Sequence, residues 1–367
     1  MGSFPQILDP YRETLENYAF DSDRFHDFQE RLRSGKFEPS DNLIESAVKI
    51  PEKSAFVDDS CDASSLQLGQ EALADGKAAL VILNGGMATR FGGVVKGTVN
   101  VMGHLSFLGL RIKILQKLAP KCPIFLLNSF ATHSQTLEHL SANDYFGCDP
   151  SLLYHLKQNI SVRLTPGGEI FLDASGRPSF YAPGHGDVFS ALAKSQDFQN
   201  FAKQKKVTVM VVNVDNIFAD LSPEIVGRHL KENKPVSVEV APQYPGDRGG
   251  APLYVNDRLQ IIEAFRLPQD FPHEKVDFFN TNTLLFQSHL FNQEYPLTWF
   301  RVDKTVDQQA VVQFEHLMGE ITTFYESSYL RVSRDEKNCR FWPIKTQEDL
   351  KGLENRLYLR YPWLTSN

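Results

Sequence analysis

The spacing of apolar residues divides the chain near residue 76. Before it, Arg12 to Ala19 and Ser22 to Ser34 are polar and charged with aromatic residues at helical spacing, and Phe37 to Ser64 is broken by Pro39, Pro51 and the Asp58-Asp59 pair. This pattern predicts a helical N-terminal extension, residues 1–75, packed on a main domain. Beyond Lys77, continuous apolar runs alternate with helical periodicity. Ala78 to Leu83, Pro123 to Asn128, Val207 to Asn213 and Val236 to Ala241 read as buried strands. Between them lie helical stretches: Phe107 to Leu118, His133 to Ser141 and Pro223 to Asn233. Strands joined by helical crossovers imply an α/β fold, a doubly wound, mainly parallel sheet covered on both faces. Ligands of such sheets sit beyond the carboxyl ends of the strands, so the loops after Leu83, Asn128 and Asn213 are the places to look.

Past residue 241 the texture turns hairpin-like. Leu253 to Val255 and Leu259 to Ala264 flank the turn Asn256-Asp257, and Phe278 to Phe286 reads as a further strand. Apolar spacing from Val306 to Tyr325 predicts a long amphipathic helix, Ser328 to Ser333 a strand, and Gln347 to Arg360 a terminal helix. The main domain then spans residues 76–335, and residues 336–367 form a short C-terminal α+β segment.

Composition narrows the class. The 367 residues are 42% hydrophobic and 23% charged, as in an ordinary globular protein, and the net charge of -7 argues against nucleic acid as a partner. No apolar run approaches the roughly 18 residues of a membrane span, and the N-terminus lacks a secretory pattern, so the expectation is a cytoplasmic protein with no membrane partner. Four scattered cysteines without a C-x-x-C pair read as reduced thiols rather than a zinc site.

Chemistry concentrates in a few loops. Leu80 to Val101, LVILNGGMATRFGGVVKGTVNV, is a strand opening into a glycine-rich loop that carries Arg90 and Lys96. Glycines let a ligand approach the amides and the two cations favour a polyphosphate, although a tight connection would read similarly. It is neither a Walker A sequence nor a G-x-G-x-x-G fingerprint. In YAPGHGDVF, Gly184, His185, Gly186 and Asp187 precede a helical stretch. His185 can donate to a phosphate or sugar hydroxyl, while Asp187 as a helix N-cap is the structural alternative. VVNVDN ends a strand in Asp215, which suits a hydrated Mg²⁺ that takes one or two carboxylates and leaves its other positions to phosphates and water; a capping or surface Asp is the alternative. FNTNT, with Gly249-Gly250 and Glu263, offers the directional neutral hydrogen bonds that sugar hydroxyls require. Lys345, after the apolar RFWPI, is a second candidate phosphate clamp or a plain surface charge.

Together these segments resemble the UDP-glucose pyrophosphorylase (UTP:glucose-1-phosphate uridylyltransferase) family. The resembling motifs run in order from LNGGMATRFGG and VVKG through LLNSFATHSQT, the Gln158 segment, APGHGDVF and VVNVDNIFA to RGGAPLY, IIEAF, FFNTNTLLF, VVQFEHLMG and RFWPIKTQEDL, over roughly residues 78–352. The resemblance implies a nucleotide-diphospho-sugar transferase-like (GT-A-like) fold. It implies that Asn84, Gly85, Gly86, Met87, Gln158 and Gly184 hold the uridine, that Arg90, Lys96 and Lys345 grip phosphates, and that Asp215 binds Mg²⁺. It also implies that His185, Asn213, Gly250, Glu263, Asn280 and Asn282 surround the sugar phosphate. Two departures stand out. Those enzymes carry a glycine where this chain has Ala88, and a Lys-Gly-Pro-Lys run where it has only Val94, Val95 and Lys96, so the loop is about one residue shorter. The chain also stops soon after Lys345, with no room for the C-terminal β-helix through which those enzymes assemble; a monomer is one state it allows.

The implied reaction is in-line attack of glucose 1-phosphate on the α-phosphorus of UTP, giving UDP-glucose and pyrophosphate. Consistent with this, no Ser-His-Asp or Cys-His constellation demands covalent chemistry. The alternatives are a different or broader sugar 1-phosphate, galactose or N-acetylhexosamine, and a non-catalytic nucleotide-sugar-binding protein. A glycosyltransferase would typically show an Asp-x-Asp motif, of which Asn213-Val-Asp215 supplies half.

Overall fold

A computed structural model describes residues 5–88, 93–204, 207–244, 247, 249–335 and 337–365. Near the N-terminus α1 (Arg12–Asn17) and α2 (Ser22–Arg33) form, the latter capped by Asp21, whose carboxylate accepts the Arg24 amide at 3.0 Å. Their apolar side chains, Leu15, Phe25, Phe28 and Leu32, close a small core with Val162, Leu164, Val312 and Phe314. Phe28 stacks on Phe314 with ring centroids 4.0 Å apart. The third helix, α3 (Ala63–Ala74), crosses a later helix with almost no gap, as described below.

The remainder is built on a seven-stranded sheet. Its strands, in chain order, are β1 (Ala78–Leu83), β2 (Ile124–Asn128), β3 (Leu153–Lys157), β4 (Thr208–Asn213), β5 (Val236–Pro242), β6 (Phe278–Gln287) and β7 (Ser327–Arg331). Their spatial order is β7-β5-β6-β4-β1-β2-β3, with β6 antiparallel to both neighbours and every other pairing parallel. Alternate residues serve opposite faces, as the pleat requires. Leu80, Ile82, Leu126, Met210 and Val212 enter one core, closed by α4 (Phe107–Leu118) and by Ile225 and Val226. Ala79, Val81, Phe125, Val209 and Val211 enter the other with Val188, Phe189, Leu192 and Phe198. The sheet is thus mixed, mainly parallel and covered on both faces. The chain leaves β1 for β2 on one side while β4 lies on the other, so the strand order reverses between β1 and β4.

Helices α5 (His133–Ala142), α6 (Asp187–Lys194), α7 (Gln196–Ala202) and α8 (Pro223–Glu232) complete the layers. The α3–α8 crossing depends on two glycines: a Cβ at Gly69 would lie 1.9 Å from the Pro223 carbonyl oxygen, and one at Gly227 only 1.8 Å from that of Ser65. Among the described residues no helix is long and apolar enough to cross a membrane.

Two expectations are corrected. Val306 to Tyr325 is not a long helix: Gln309–Glu315 is a strand paired with Phe300–Val306, and only α9 (Ile321–Phe324) is helical apart from a 3₁₀ turn at Met318–Glu320. Asp307 and Gln308, both with positive φ (49° and 63°), make the two-residue hairpin turn that reverses the chain. The terminal helix is shorter than expected. Gly352, at φ 76°, separates a 3₁₀ turn, Glu348–Leu350, from α10 (Leu353–Arg360).

Candidate active site

The glycine-rich loop leaves the carboxyl end of β1. Asn84 is fully buried: its amide nitrogen donates to Asn128 Oδ1 at 2.7 Å and Thr136 Oγ1 at 2.9 Å. Its side chain therefore anchors the loop to the ends of β2 and α5, leaving the backbone that follows to meet a ligand. Gly85 packs against Gln158, with its carbonyl accepting Ser129 Oγ at 2.8 Å. Exposed Gly86 and Met87 lead into a hairpin that pairs Met87–Ala88 with Val94–Val95. Arg90, with Thr89, Phe91 and Gly92, lies outside the described residues.

Gln158 ties this loop to the next. Its Nε2 donates to the Gly184 carbonyl at 2.6 Å, so Gly85, Gln158 and Gly184 form one patch. Gly184 has φ 103°, and a Cβ there would fall 2.4 Å from the His316 carbonyl oxygen; only glycine fits. Asp187 is not the N-cap of α6, a position held by Gly186. Instead its fully buried carboxylate accepts the backbone and side-chain nitrogens of Asn159, both at 3.0 Å, and pairs with His316 Nε2 at 2.8 Å. His316 in turn stacks on Trp299, with centroids 4.2 Å apart, and the Arg24 guanidinium of α2 lies over the same indole at 4.7 Å. The N-terminal helices therefore reach the loop through this stack.

Next to Gly184, His185 Nδ1 accepts the Met318 amide at 3.0 Å. That bond assigns the proton of the neutral ring to Nε2, leaving a donor. Burial and then the neighbouring His316 push the His185 pKa down to about 4, so the ring is neutral near pH 7.

His185 opens onto a cavity of about 230 Å³ at the strand ends. Asn213, Asp215, Gly250, Glu263, Asn280, Asn282 and Lys345 line it too, so each residue expected around the sugar phosphate is present, with the expected metal ligand and second phosphate clamp. Larger cavities, of about 680 and 620 Å³, open elsewhere around Thr208 and Arg228, but they gather no such set. Chemistry rather than volume marks the site.

Local backbone distortion shapes this cavity. The β5–β6 ladder pairs Val238 with Leu284 and Val240 with Asn280, so Thr281 to Thr283 together face Glu239 alone. At the centre of this bulge Asn282 adopts φ 57°. Its Nδ2 donates to Asn213 Oδ1 at 3.1 Å, joining β6 to the end of β4, and its amide donates to Asn280 Oδ1 at 2.9 Å. Gly250 accepts the Asn280 amide at 2.8 Å and packs on Glu263. Burial pushes the Glu263 carboxyl up to about 7; Arg266 opposes the rise and Glu320 adds to it.

Asp215 follows β4 in a loop braced from beneath by a residue the motifs did not reveal. Arg111 of α4 is buried and donates to the carbonyls of Asn213 (2.8 Å), Val214 (3.1 Å), Ala219 (3.2 Å) and Asn216. An arginine within the apolar run LGLRIKIL, two residues before Lys113, was the available signal. From above, Ile344 N donates to the Asp215 carbonyl at 3.2 Å and Trp342 N to Asn216 Oδ1 at 3.1 Å, placing Lys345 at the rim. Lys96 crosses from the glycine-rich loop to Asp215, Nζ to Oδ2, at 2.5 Å.

Among the described residues no three His, Cys, Asp or Glu side chains form a metal cluster. Three carboxylates line the cavity: Asp247 is paired with Arg334 and Glu263 is held toward its protonated form by burial, which leaves Asp215 as the single donor that suits an ion drawing most of its ligands from phosphates and water.

A sequence model of the UTP–glucose-1-phosphate uridylyltransferase family matches residues 23–361. The chain belongs to this family. Relatives with that name include those of Solanum tuberosum, 27% identical over 77% of this chain and 62% of theirs, and Encephalitozoon cuniculi, 25% identical over 77% and 59%. The chain thus spans about three fifths of the length of these relatives. Among solved structures, the V402W mutant of UDP-glucose pyrophosphorylase from Leishmania major is 25% identical with a TM-score of 0.70, covering 88% of this chain and 73% of that one. The uridine diphosphate N-acetylglucosamine pyrophosphorylase of Trypanosoma brucei, at 19% identity, TM-score 0.74 and coverages of 92% and 77%, shares the fold.

Proposed function

We propose that this chain joins UTP to a hexose 1-phosphate, giving a UDP-sugar and pyrophosphate, with glucose 1-phosphate as the preferred acceptor. The observation that carries this reading is convergence: motif residues from Asn84 to Lys345, scattered over the chain, meet at the strand ends, the uridine-type contacts beside β1 and the sugar-type contacts beside β4 and β6. The same reading takes the fold as GT-A-like, supported by the crevice where strand order reverses. It takes the protein as cytoplasmic; the four free cysteines accord with a reducing compartment.

In this reaction the sugar phosphate attacks the α-phosphorus and pyrophosphate leaves, so the task is to bring two anions together and hold them in line. Lys96, which contacts Asp215, and Lys345, on the cavity lining, neutralise phosphate charge, with Arg90 assigned the same role from the sequence. Asn280, Asn282 and Glu263 orient the sugar hydroxyls, and His185 offers its Nε2–H without adding charge. Asp215 is the carboxylate that would hold Mg²⁺, whose contribution when bound is to offset the charge of the phosphate oxygens. No side chain needs to form a bond with substrate.

The test is release of pyrophosphate by the purified chain given UTP, Mg²⁺ and, in separate reactions, the 1-phosphates of glucose, galactose and N-acetylglucosamine. Release is expected to be fastest with glucose 1-phosphate. Silence with all three would favour a binding protein instead.

A further inference from the structure

The carboxylate assigned to the metal already has a partner. Lys96 Nζ lies 2.5 Å from Asp215 Oδ2, and the two side chains are only 18% and 14% exposed. Neither partner is free to drift. The Lys96 amide donates to the Gly86 carbonyl at 3.3 Å, while the Asp215 backbone is held by Ile344 and its neighbours' carbonyls by Arg111. The pair bridges the ends of β1 and β4, the two strands between which the sheet order reverses.

A half-shielded ion pair resists a competing ion more than a surface pair does, because water screens it less. A dication arriving alone at Asp215 must displace an ammonium from one carboxylate oxygen and then sit beside it. Buried Arg111 behind the loop and Lys345 at the rim add like charge. Asp247, which also lines the cavity, does not compensate, since its carboxylate is 2.5 Å from Arg334. A polyphosphate changes the balance: its oxygens give Lys96 a stronger anionic partner, freeing Asp215 while bringing further oxygen ligands for a cation.

We propose that Lys96 is a latch on Asp215 that nucleotide phosphates open, so that the divalent cation binds with the nucleotide and not before it. This rests on the nucleotidyl-transfer reading above and gives Lys96 two successive partners, Asp215 first and then a phosphate of the bound nucleotide.

The test is binding of Mn²⁺, as a paramagnetic substitute for Mg²⁺, to the nucleotide-free protein by electron paramagnetic resonance. Lys96→Met is expected to bind Mn²⁺ at least about tenfold more tightly than wild type, the scale on which close charge pairs couple. The double variant Lys96→Met, Asp215→Asn is expected to lose that gain. Lys96→Gln, which keeps a polar side chain, serves as the second single variant and should behave as Lys96→Met does. Equal Mn²⁺ affinity in wild type and both single variants, or no measurable binding in any of them, overturns the latch. Titration calorimetry with UTP in the absence of metal separates this from the parent reading: the latch predicts that wild type binds UTP and that Lys96→Met binds it more weakly. Failure of wild type to bind UTP overturns nucleotide recognition and the latch's release by phosphate with it.

Discussion

Glu263 stands at the edge of the cavity with a carboxyl that burial has pushed up to about 7. In an unfolded chain a glutamate releases its proton near 4.3, so between these values the folded protein retains a proton that the unfolded chain has lost. The sign follows: stability is favoured below about pH 4 and declines as pH rises to about 7. Glu263→Gln should remove that decline, amounting to at most about 4 kcal/mol, and thermal melts from about pH 5 to about pH 8 would reveal it. Parallel pH slopes in variant and wild type would contradict the assignment. The same titration changes Glu263 from hydrogen-bond donor to acceptor, so the variant should also flatten the pH dependence of KM for the sugar phosphate. Asp215 makes a simpler prediction. Asp215→Asn keeps the bond from Ile344 to the backbone carbonyl, yet turnover should fall by about a hundredfold or more with the circular dichroism spectrum unchanged; wild-type turnover would remove Asp215 from the mechanism.

At the scale of elements, the position of Lys345 depends on a buried ionic network behind it. Arg340 pairs with Glu239 of β5 at 2.6 Å and with Asp220 at 2.5 Å, while Asp220 also receives Arg360 at 3.0 Å and the Tyr361 hydroxyl at 2.6 Å. These bonds hold the segment leading to Lys345 and α10 against the sheet. Arg340→Met leaves two buried carboxylates undercompensated, and a loss of about 3–5 kcal/mol is expected in urea unfolding, with faster amide exchange at Phe341, Trp342, Ile344 and Lys345. A change below about 0.5 kcal/mol would place the network outside the stability account. Such pairings join residues more than a hundred positions apart, and the sequence offered no sign of them. What could be read there were the continuous apolar runs: β1, β4 and α4 lie where the pattern put them, because strands covered on both faces admit few polar residues. The failure at Val306 to Tyr325 has a local cause. Val306, Ala310, Phe314 and Ile321 fall at helical intervals, but Asp307 and Gln308 turn the chain without glycine, and pairing with Phe300–Val306 outweighs that periodicity.

For the whole molecule, the chain brings two half-sites together across the reversal in its sheet. Residue types in FNTNT, GHGD and VVNVDN suggested which side chains matter. The bulge that turns Asn282 toward Asn213 and the stack from Arg24 through Trp299 to His316 could not be read, since each is a product of packing between distant segments. Lys96 shows the difference most clearly: its residue type suggested phosphate, and the structure pairs its side chain with Asp215. The central claim is that both half-sites act in one transfer. Phosphorus-31 NMR of the purified chain with UTP, Mg²⁺ and glucose 1-phosphate tests it most directly. UDP-glucose and pyrophosphate should appear in equal amounts, and neither should appear without the sugar phosphate. Unchanged UTP and glucose 1-phosphate signals, or UTP consumed when no sugar phosphate is present, would contradict the account.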